Sequence, residues 1–297
     1  MRRLAVLDAP SNLGLRPPSP GTVPGCYKLA GALRDAGFVT ALKAEDAGYV
    51  TPPRYDRHEW QLGDGVFNAE GIATYTVKLA DRIGKLLDSE RFPVVLGGDC
   101  SILLGAMLEL RRRGRFGVAY LDGHADLRHP GNDSVGAAAG EGLALITGRG
   151  QADLTDLEGL RPYVRDTDLA VIGIRDDDVY IPEMAELDLA VWAEGRLRAE
   201  GIDPALSMLE TQELQGFWIH LDVDILSPKV MPAVDSPDPG GLSYDELIPA
   251  LTKLLASPKC VGINVAIFDP DLDPDGHLAK ELTDNLINAI AQSHPAL

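Results

Sequence analysis

Two acidic stretches, Asp122-Gly-His124-Ala-Asp126 and Asp222-Val-Asp224, each follow directly on an apolar run, Val118-Ala-Tyr-Leu121 and Phe217-Trp-Ile-His-Leu221. Runs of this length and composition read as buried strands. At a strand end, residues i, i+2 and i+4 project to the same side. Asp122, His124 and Asp126 can therefore converge on one point, and so can Asp222 and Asp224. Carboxylates gathered at neighbouring strand ends would repel one another without a cation between them. Oxygen-rich ligation with a single imidazole suits a hard or borderline divalent ion such as manganese. A bridging pair of such ions makes hydroxide available at neutral pH. Surface loops or helix caps would not explain why the carboxylates follow apolar strands in both places. The pattern implies a metal hydrolase.

The rest of the chain agrees with that setting. Short apolar runs at residues 4–7, 94–96, 117–121, 169–174, 217–221 and 262–268 alternate with amphipathic segments at 27–36, 72–87, 101–112, 205–209, 244–256 and 280–291. Such alternation predicts an α/β fold with a mainly parallel sheet and helices on both faces. No internal repeat or low-complexity linker divides the 297 residues, so a single domain spanning 1–297 is expected. Pro/Gly-rich stretches at 11–25, 52–65, 129–142 and 227–241 read as long loops. Ligands in open α/β sheets bind outside the carboxyl ends of the strands, where both acidic motifs sit. Strand order does not follow from the sequence.

A formal net charge of −18 argues against nucleic acid or an anionic membrane as partner and would draw a cationic substrate. Much of it is accounted for as solvated surface. Cys26, Cys100 and Cys260 are an odd set without close spacing, so no disulfide framework is expected. The start, Met1-Arg-Arg-Leu-Ala-Val-Leu-Asp8, is too short in apolar residues for a signal peptide, and no run is long enough to span a membrane. The cytoplasm is the expected location.

A third segment joins the acidic motifs. Val94-Val-Leu-Gly97-Gly98-Asp99-Cys100-Ser101 reads as a strand, a sharp glycine turn and a helix start. A thiol at a helix N-terminus has a lowered pKa, which makes Cys100 a candidate ligand; its competing reading is an inert core residue. With Pro239-Gly-Gly-Leu-Ser-Tyr244 added, the ordered set of motifs resembles the ureohydrolase family of arginase, agmatinase and formiminoglutamase over nearly the whole chain. The resemblance implies a three-layer α/β/α domain with two manganese ions at the strand ends. By match to its motifs, Asp122 and Asp222 bridge the metals, Asp126 and Cys100 complete the first shell, and His124 and Asp224 hold the second ion. Asp126 would also orient the attacking hydroxide. The family's habit implies a homo-oligomer, trimer or hexamer.

The sequence departs from the family's pattern in three places. Cys100 stands where most members carry a histidine, and a soft thiolate suits manganese poorly; the ion there is expected to be weakly held, absent or replaced by a softer one. The loop Gly136-Ala-Ala-Ala-Gly-Glu141-Gly142 lacks the proton-shuttling histidine common in arginases and agmatinases. Glu141 is the candidate substitute, its alternative being a solvated loop residue; His129 lies too close to Asp126 to match. Ile267, three residues before Pro270, replaces a glutamate that grips the guanidinium. Asn264, Asp269 or Asp271 could take over that contact.

Arg128 is a candidate for a substrate carboxylate, with a local salt bridge as its alternative. Asp178, in the Ile172-Gly-Ile-Arg175-Asp176-Asp-Asp178 segment, stands where arginases meet the α-amino group; otherwise it is a turn residue. His58, His220, His277 and His294 are expected to be structural or exposed, and Arg111-Arg-Arg113 to be a charged helix end. The acidic segment at 269–275 resembles a calcium loop in composition only.

These readings converge on a hydrolase cleaving a C–N bond of a linear guanidino or amidino compound with a metal-bound hydroxide. The altered pocket points away from plain arginine and toward a less basic amidine such as an N-hydroxylated arginine. A non-catalytic relative kept for assembly or regulation is the alternative. A zinc deacetylase is disfavoured because no His-His pair is present.

Overall fold

The structure is a computed structural model and describes residues 2–132 and 135–294. Its centre is one eight-stranded sheet made of β1 (Arg3–Asp8), β2 (Glu45–Tyr49), β3 (Arg91–Leu96), β4 (Gly117–Leu121), β5 (Leu169–Ile172), β6 (Ala190–Trp192), β7 (Phe217–Asp222) and β8 (Cys260–Ala266). The spatial order is β2-β1-β3-β8-β7-β4-β5-β6, and every strand pairing is parallel. Helices cover the sheet to give three layers, α/β/α. The expected fold class is what the chain adopts.

Every residue of β4, β5, β7 and β8 is buried. Strands covered on both faces read as near-continuous apolar runs, which is why these were visible in the sequence. The expected strand over 169–174 stops at Ile172, because Gly173 adopts a left-handed φ of 90° and turns the chain. The edge strands β2 and β6 were not anticipated. Glu45–Tyr49 is polar with a glycine inside it, and Ala190–Trp192 is too short to carry a pattern.

The long helices form where amphipathic segments were expected, over Ala69–Asp88, Leu103–Arg113, Tyr244–Ala256 and His277–Ser293. Tyr244–Ala256 begins with a capping box, in which Ser243 accepts from the Glu246 N–H and Glu246 accepts from the Ser243 N–H. The Pro239–Tyr244 motif is thus a helix entry. Arg112 and Arg113 pair with Glu109 and with Glu158, Asp81 and Asp88, so that basic run is a helix end held by ion pairs.

Between β3 and β4 in the sheet lie β8 and β7, so the chain switches direction of travel across the sheet there. A crevice opens at such a point, at the carboxyl ends of the strands. β3, β4 and β7 all deliver their acidic or thiol-bearing ends to it.

Candidate metal centre

Leu121 of β4 pairs in register with Leu221 of β7, so Asp122 and Asp222 follow side by side. The turns beyond them are fixed by their own backbone. The Asp122 carboxylate accepts from the His124 N–H at 2.7 Å, Asp222 from the Asp224 N–H at 2.8 Å, and Asp224 from the Gly123 N–H at 3.0 Å. Gly123 is required there, since a Cβ would lie 2.6 Å from the Asp224 carbonyl oxygen. The Cys100 turn is equally tight, because a Cβ on Gly98 would fall 1.7 Å from the Ser11 carbonyl oxygen. Arg175, 4% exposed, donates to the carbonyl oxygens of Asp224, Ile225, Leu226, Asp238 and Pro239 and so grips the loop that follows β7.

These turns bring the expected side chains together. His124 Nδ1 lies 2.9 Å from Asp224 Oδ2 and 3.8 Å from Asp122 Oδ1, while its Nε2 lies 3.1 Å from Asp238 Oδ2. The Cys100 thiol donates to Asp222 Oδ2 at 2.8 Å. Asp126, in a left-handed conformation with φ 46°, accepts from the Tyr120 hydroxyl at 2.7 Å. Donor atoms of Asp122, His124 and Asp224 lie within 4.8 Å of one another, and so do those of Cys100, Asp122 and His220.

Crowding of these buried acids shifts their protonation. Burial, with the neighbouring carboxylates, pushes Asp122 and Asp222 well above the usual carboxylate range. Burial also raises Asp126, to about 7, against the opposing hydrogen bond from Tyr120 and the charge of His124. Burial would lower His124, but the Asp224 hydrogen bond and surrounding acids outweigh it and raise it to about 10. Asp224 is held low despite burial, by that same partner. An orphaned buried acceptor, Asp122 Oδ2, faces the same space, so the residues present fit divalent cations.

A model of the arginase family matches residues 21–293. The chain belongs to the arginase family. Among its relatives is an arginase of Staphylococcus aureus (strain MRSA252), 28% identical over 269 residues that cover 84% of this chain and 86% of that one. The arginase structure from Bacillus caldovelox superposes with a TM-score of 0.87 at 25% identity, covering 98% of each chain. A formimidoylglutamase from Bacillus subtilis shares the fold at a TM-score of 0.72 and 19% identity, covering 99% of this chain and 88% of that one. Members of the family are hydrolases of C–N bonds in linear amidines and depend on a binuclear metal centre, with manganese in arginases.

Above the acid cluster opens a cleft of about 630 Å³, with Cys100, His124, Asp126, Arg128, Asp178 and Ile267 in its walls. Arg128 stands in the cleft wall, where a substrate carboxylate could reach it. Asp178 accepts from the Ala125 and Tyr180 N–H groups with one oxygen each and ties two cleft loops together. Glu141 is 1% exposed, on a short 3-10 turn, and is not a wall of the cleft. His129 binds Glu183 at 2.8 Å.

Several expectations need correction. The Cys100 thiol is raised well above its ordinary value rather than lowered, because it is buried and faces Asp222, Asp126 and Asp122; the helix proper starts only at Leu103. None of the residues offered as replacements for the guanidinium-gripping glutamate reaches the cleft wall. Asn264 is engaged with Trp218 and His220, Asp269 accepts from the Gly25 and Asp271 N–H groups, and Asp271 pairs with Lys28. The carboxylates that do line the cleft beyond the cluster include Asp235 and Asp238, on the loop after β7. Of the two readings offered for His220, structural or exposed, the first holds, although it stands beside the centre. It is wholly buried at the Cys100 end, where burial lowers its pKa to about 4. Alternation along β7 would have found it, since residue 220 shares a face with 222. His294 is buried against Phe92, whereas His58 and His277 are exposed. Asp273 caps the last helix by accepting from the Leu278 and Ala279 N–H groups, so the 269–275 segment is a helix entry.

Proposed function

We propose that this protein hydrolyses a linear guanidino or amidino compound to urea, or a substituted urea, and an amine, and that an N-hydroxylated arginine suits its pocket. The observation that carries the reading is a single cleft lined by His124, Asp126, Asp222 and Asp224, with Asp122 gathered to His124 and Asp224 beneath it. Manganese is the expected cofactor; His124 and Asp224 would hold it at one end and Cys100 and Asp126 at the other, with Asp122 and Asp222 available to both. Such ions would supply Lewis acidity and a water acidic enough to attack at neutral pH.

The remaining work falls to this chain's own groups. Asp126, one oxygen fixed by Tyr120, orients the attacking water with the other and takes up its proton. Glu141, buried on the turn packed beside Asp126 and off the cleft wall, is the proposed proton carrier, relaying through Asp126 to the leaving amine. Arg128 pairs with the substrate carboxylate, and Asp178 receives the α-amino group. Ile267 presents an apolar wall where a cationic guanidinium would need a partner. An unpaired cation there would cost several kcal/mol, roughly the margin that favours a less basic amidine. The family resemblance adds a homo-oligomer, trimer or hexamer; a cytoplasmic site of action is the default for a chain read as having no signal peptide. No described helix is long and apolar enough to cross a membrane.

A panel of guanidino and amidino compounds, incubated with the purified protein and manganese, tests this by release of urea, hydroxyurea or amine. Near-stoichiometric metal with no compound hydrolysed would instead mark a non-catalytic relative. Ile267→Glu should raise kcat/KM for unmodified arginine by about tenfold or more, the lower range of a regained buried charge pair.

A further inference from the structure

His220 is a buried group at the centre that the proposed reaction does not use. It stands on β7 two residues before Asp222, with its ring 4.7 Å from that of Tyr120. Its Nδ1 lies 2.7 Å from Asn264 Nδ2, and Asn264 Oδ1 lies 2.9 Å from Trp218 Nε1. An indole nitrogen can only donate. The amide oxygen must therefore face Trp218, which leaves the amide NH2 toward the imidazole. Reversing the amide would set two donors against each other in a buried site, at the full cost of an unmade hydrogen bond. A neutral imidazole that accepts at Nδ1 carries its proton on Nε2. Among the described residues that Nε2 has no partner; 4.0 Å away, Asp122 Oδ2 also lacks one. The Cys100 sulfur lies within 4.8 Å of both groups.

We propose that Trp218 and Asn264 lock His220 as its Nε2–H tautomer, so that it serves the Cys100 end of the centre as a hydrogen-bond donor and not as a metal ligand. By distance alone, thiol, carboxylate and imidazole here form a ready cage for a thiophilic cation. The lone pair such a cation needs on Nε2 is occupied by a proton. A shift of about 1 Å brings Nε2–H into hydrogen-bond range of Asp122 Oδ2. His220 is then a positioning residue that fixes the rotamer of a bridging carboxylate whose other oxygen is already held by the His124 N–H.

The proposal assumes the acid cluster is the metal centre, but its first test does not depend on catalysis. Imidazole nitrogen spectra of isotope-labelled, metal-free wild-type protein should show one histidine, identified by its contact with the Tyr120 ring, protonated at Nε2 and bare at Nδ1. The opposite tautomer overturns the proposal. Asn264→Asp supplies the second test. Its carboxylate can accept from both Trp218 and an Nδ1–H, which frees the Nε2 lone pair and builds a carboxylate–histidine–metal arrangement. Cobalt(II) titration of the variant should show a thiolate charge-transfer band and binding tighter than wild type by about tenfold or more. Should wild type already bind cobalt through His220, with the imidazole signal shifted as in a ligated ring, the donor role is wrong. Absence of amidine hydrolysis would leave both readouts intact and count against the proposed function alone.

Discussion

The two ends of the acid cluster share Asp122 and Asp222 yet differ in the charge that their own donors carry. At the His124 end, an imidazole raised to about 10 faces a lowered Asp224 at 2.9 Å, a ready-made ion pair. A metal entering there displaces one proton from a group that already carries positive charge. At the Cys100 end, the proton sits on an uncharged thiol raised well above its ordinary value, and His220 is neutral. A metal entering there must ionise a buried thiol among carboxylates. Metal affinity is proton-linked at both ends, but the second end starts from the less favourable state.

The largest effect should follow from Asp224→Asn, which removes a carboxylate serving the His124 end alone. Hydrolysis should fall by more than about a thousandfold, in line with the several kcal/mol an ion contributes, and metal analysis should show the loss confined to that end. Equal loss from both ends would break the contrast. Cys100→His should sharpen it from the other side. Replacing a raised thiol with an imidazole should tighten the deep ion by about 10–100-fold, the scale of altered ligation, as measured by competition with a chelating dye. Unchanged affinity would show that the thiol is not the weak point.

A smaller effect should appear in stability against pH for chelator-treated protein. Asp126 has its pKa raised from 3.8 to about 7, so the folded state binds more protons than the unfolded across that window. Stability is fully present below about 4 and declines as pH rises through 7. His124, raised from 6.5 to about 10, extends the decline upward. The lowered Asp224 acts oppositely only in acid. The melting temperature should drop by on the order of 5 °C between pH 4 and 8, and manganese should cancel the slope. A flat profile without metal would contradict the protonation states described. Smallest is Tyr120→Phe, which deletes the hydroxyl held by Asp126. A lost hydrogen bond worth about 0.5–1.5 kcal/mol should lower kcat about three- to tenfold with KM unchanged.

Much of this site was legible because strand geometry does the positioning. Asp122, His124, Asp222 and Asp224 follow apolar strands buried on both faces, and alternation alone aims them. The same rule applied backward from Asp222 leads to His220, and from Asp122 to Tyr120; neither residue announces itself by type. The environment of Cys100 was not legible. A helix N-terminus argues for a low thiol pKa, but only the strand order sets β3 beside β8 and β7 and so faces the sulfur with carboxylates. Asp235 and Asp238 were hidden for a related reason, since a loop's path over the cleft depends on what grips it. The edge strands β2 and β6 lack the two-sided burial that makes a strand visible.

That grip falls to Arg175, whose planar guanidinium offers five N–H donors in a fixed fork. Its contacts are to main-chain oxygens, so they are indifferent to whether Asp224 or His124 is protonated or metallated. The shape of the ligand-bearing segment is therefore set before any ion arrives and should outlast its departure. Stripping and reloading the centre becomes a matter of swapping protons for cations inside a standing frame, with no refolding of the frame itself.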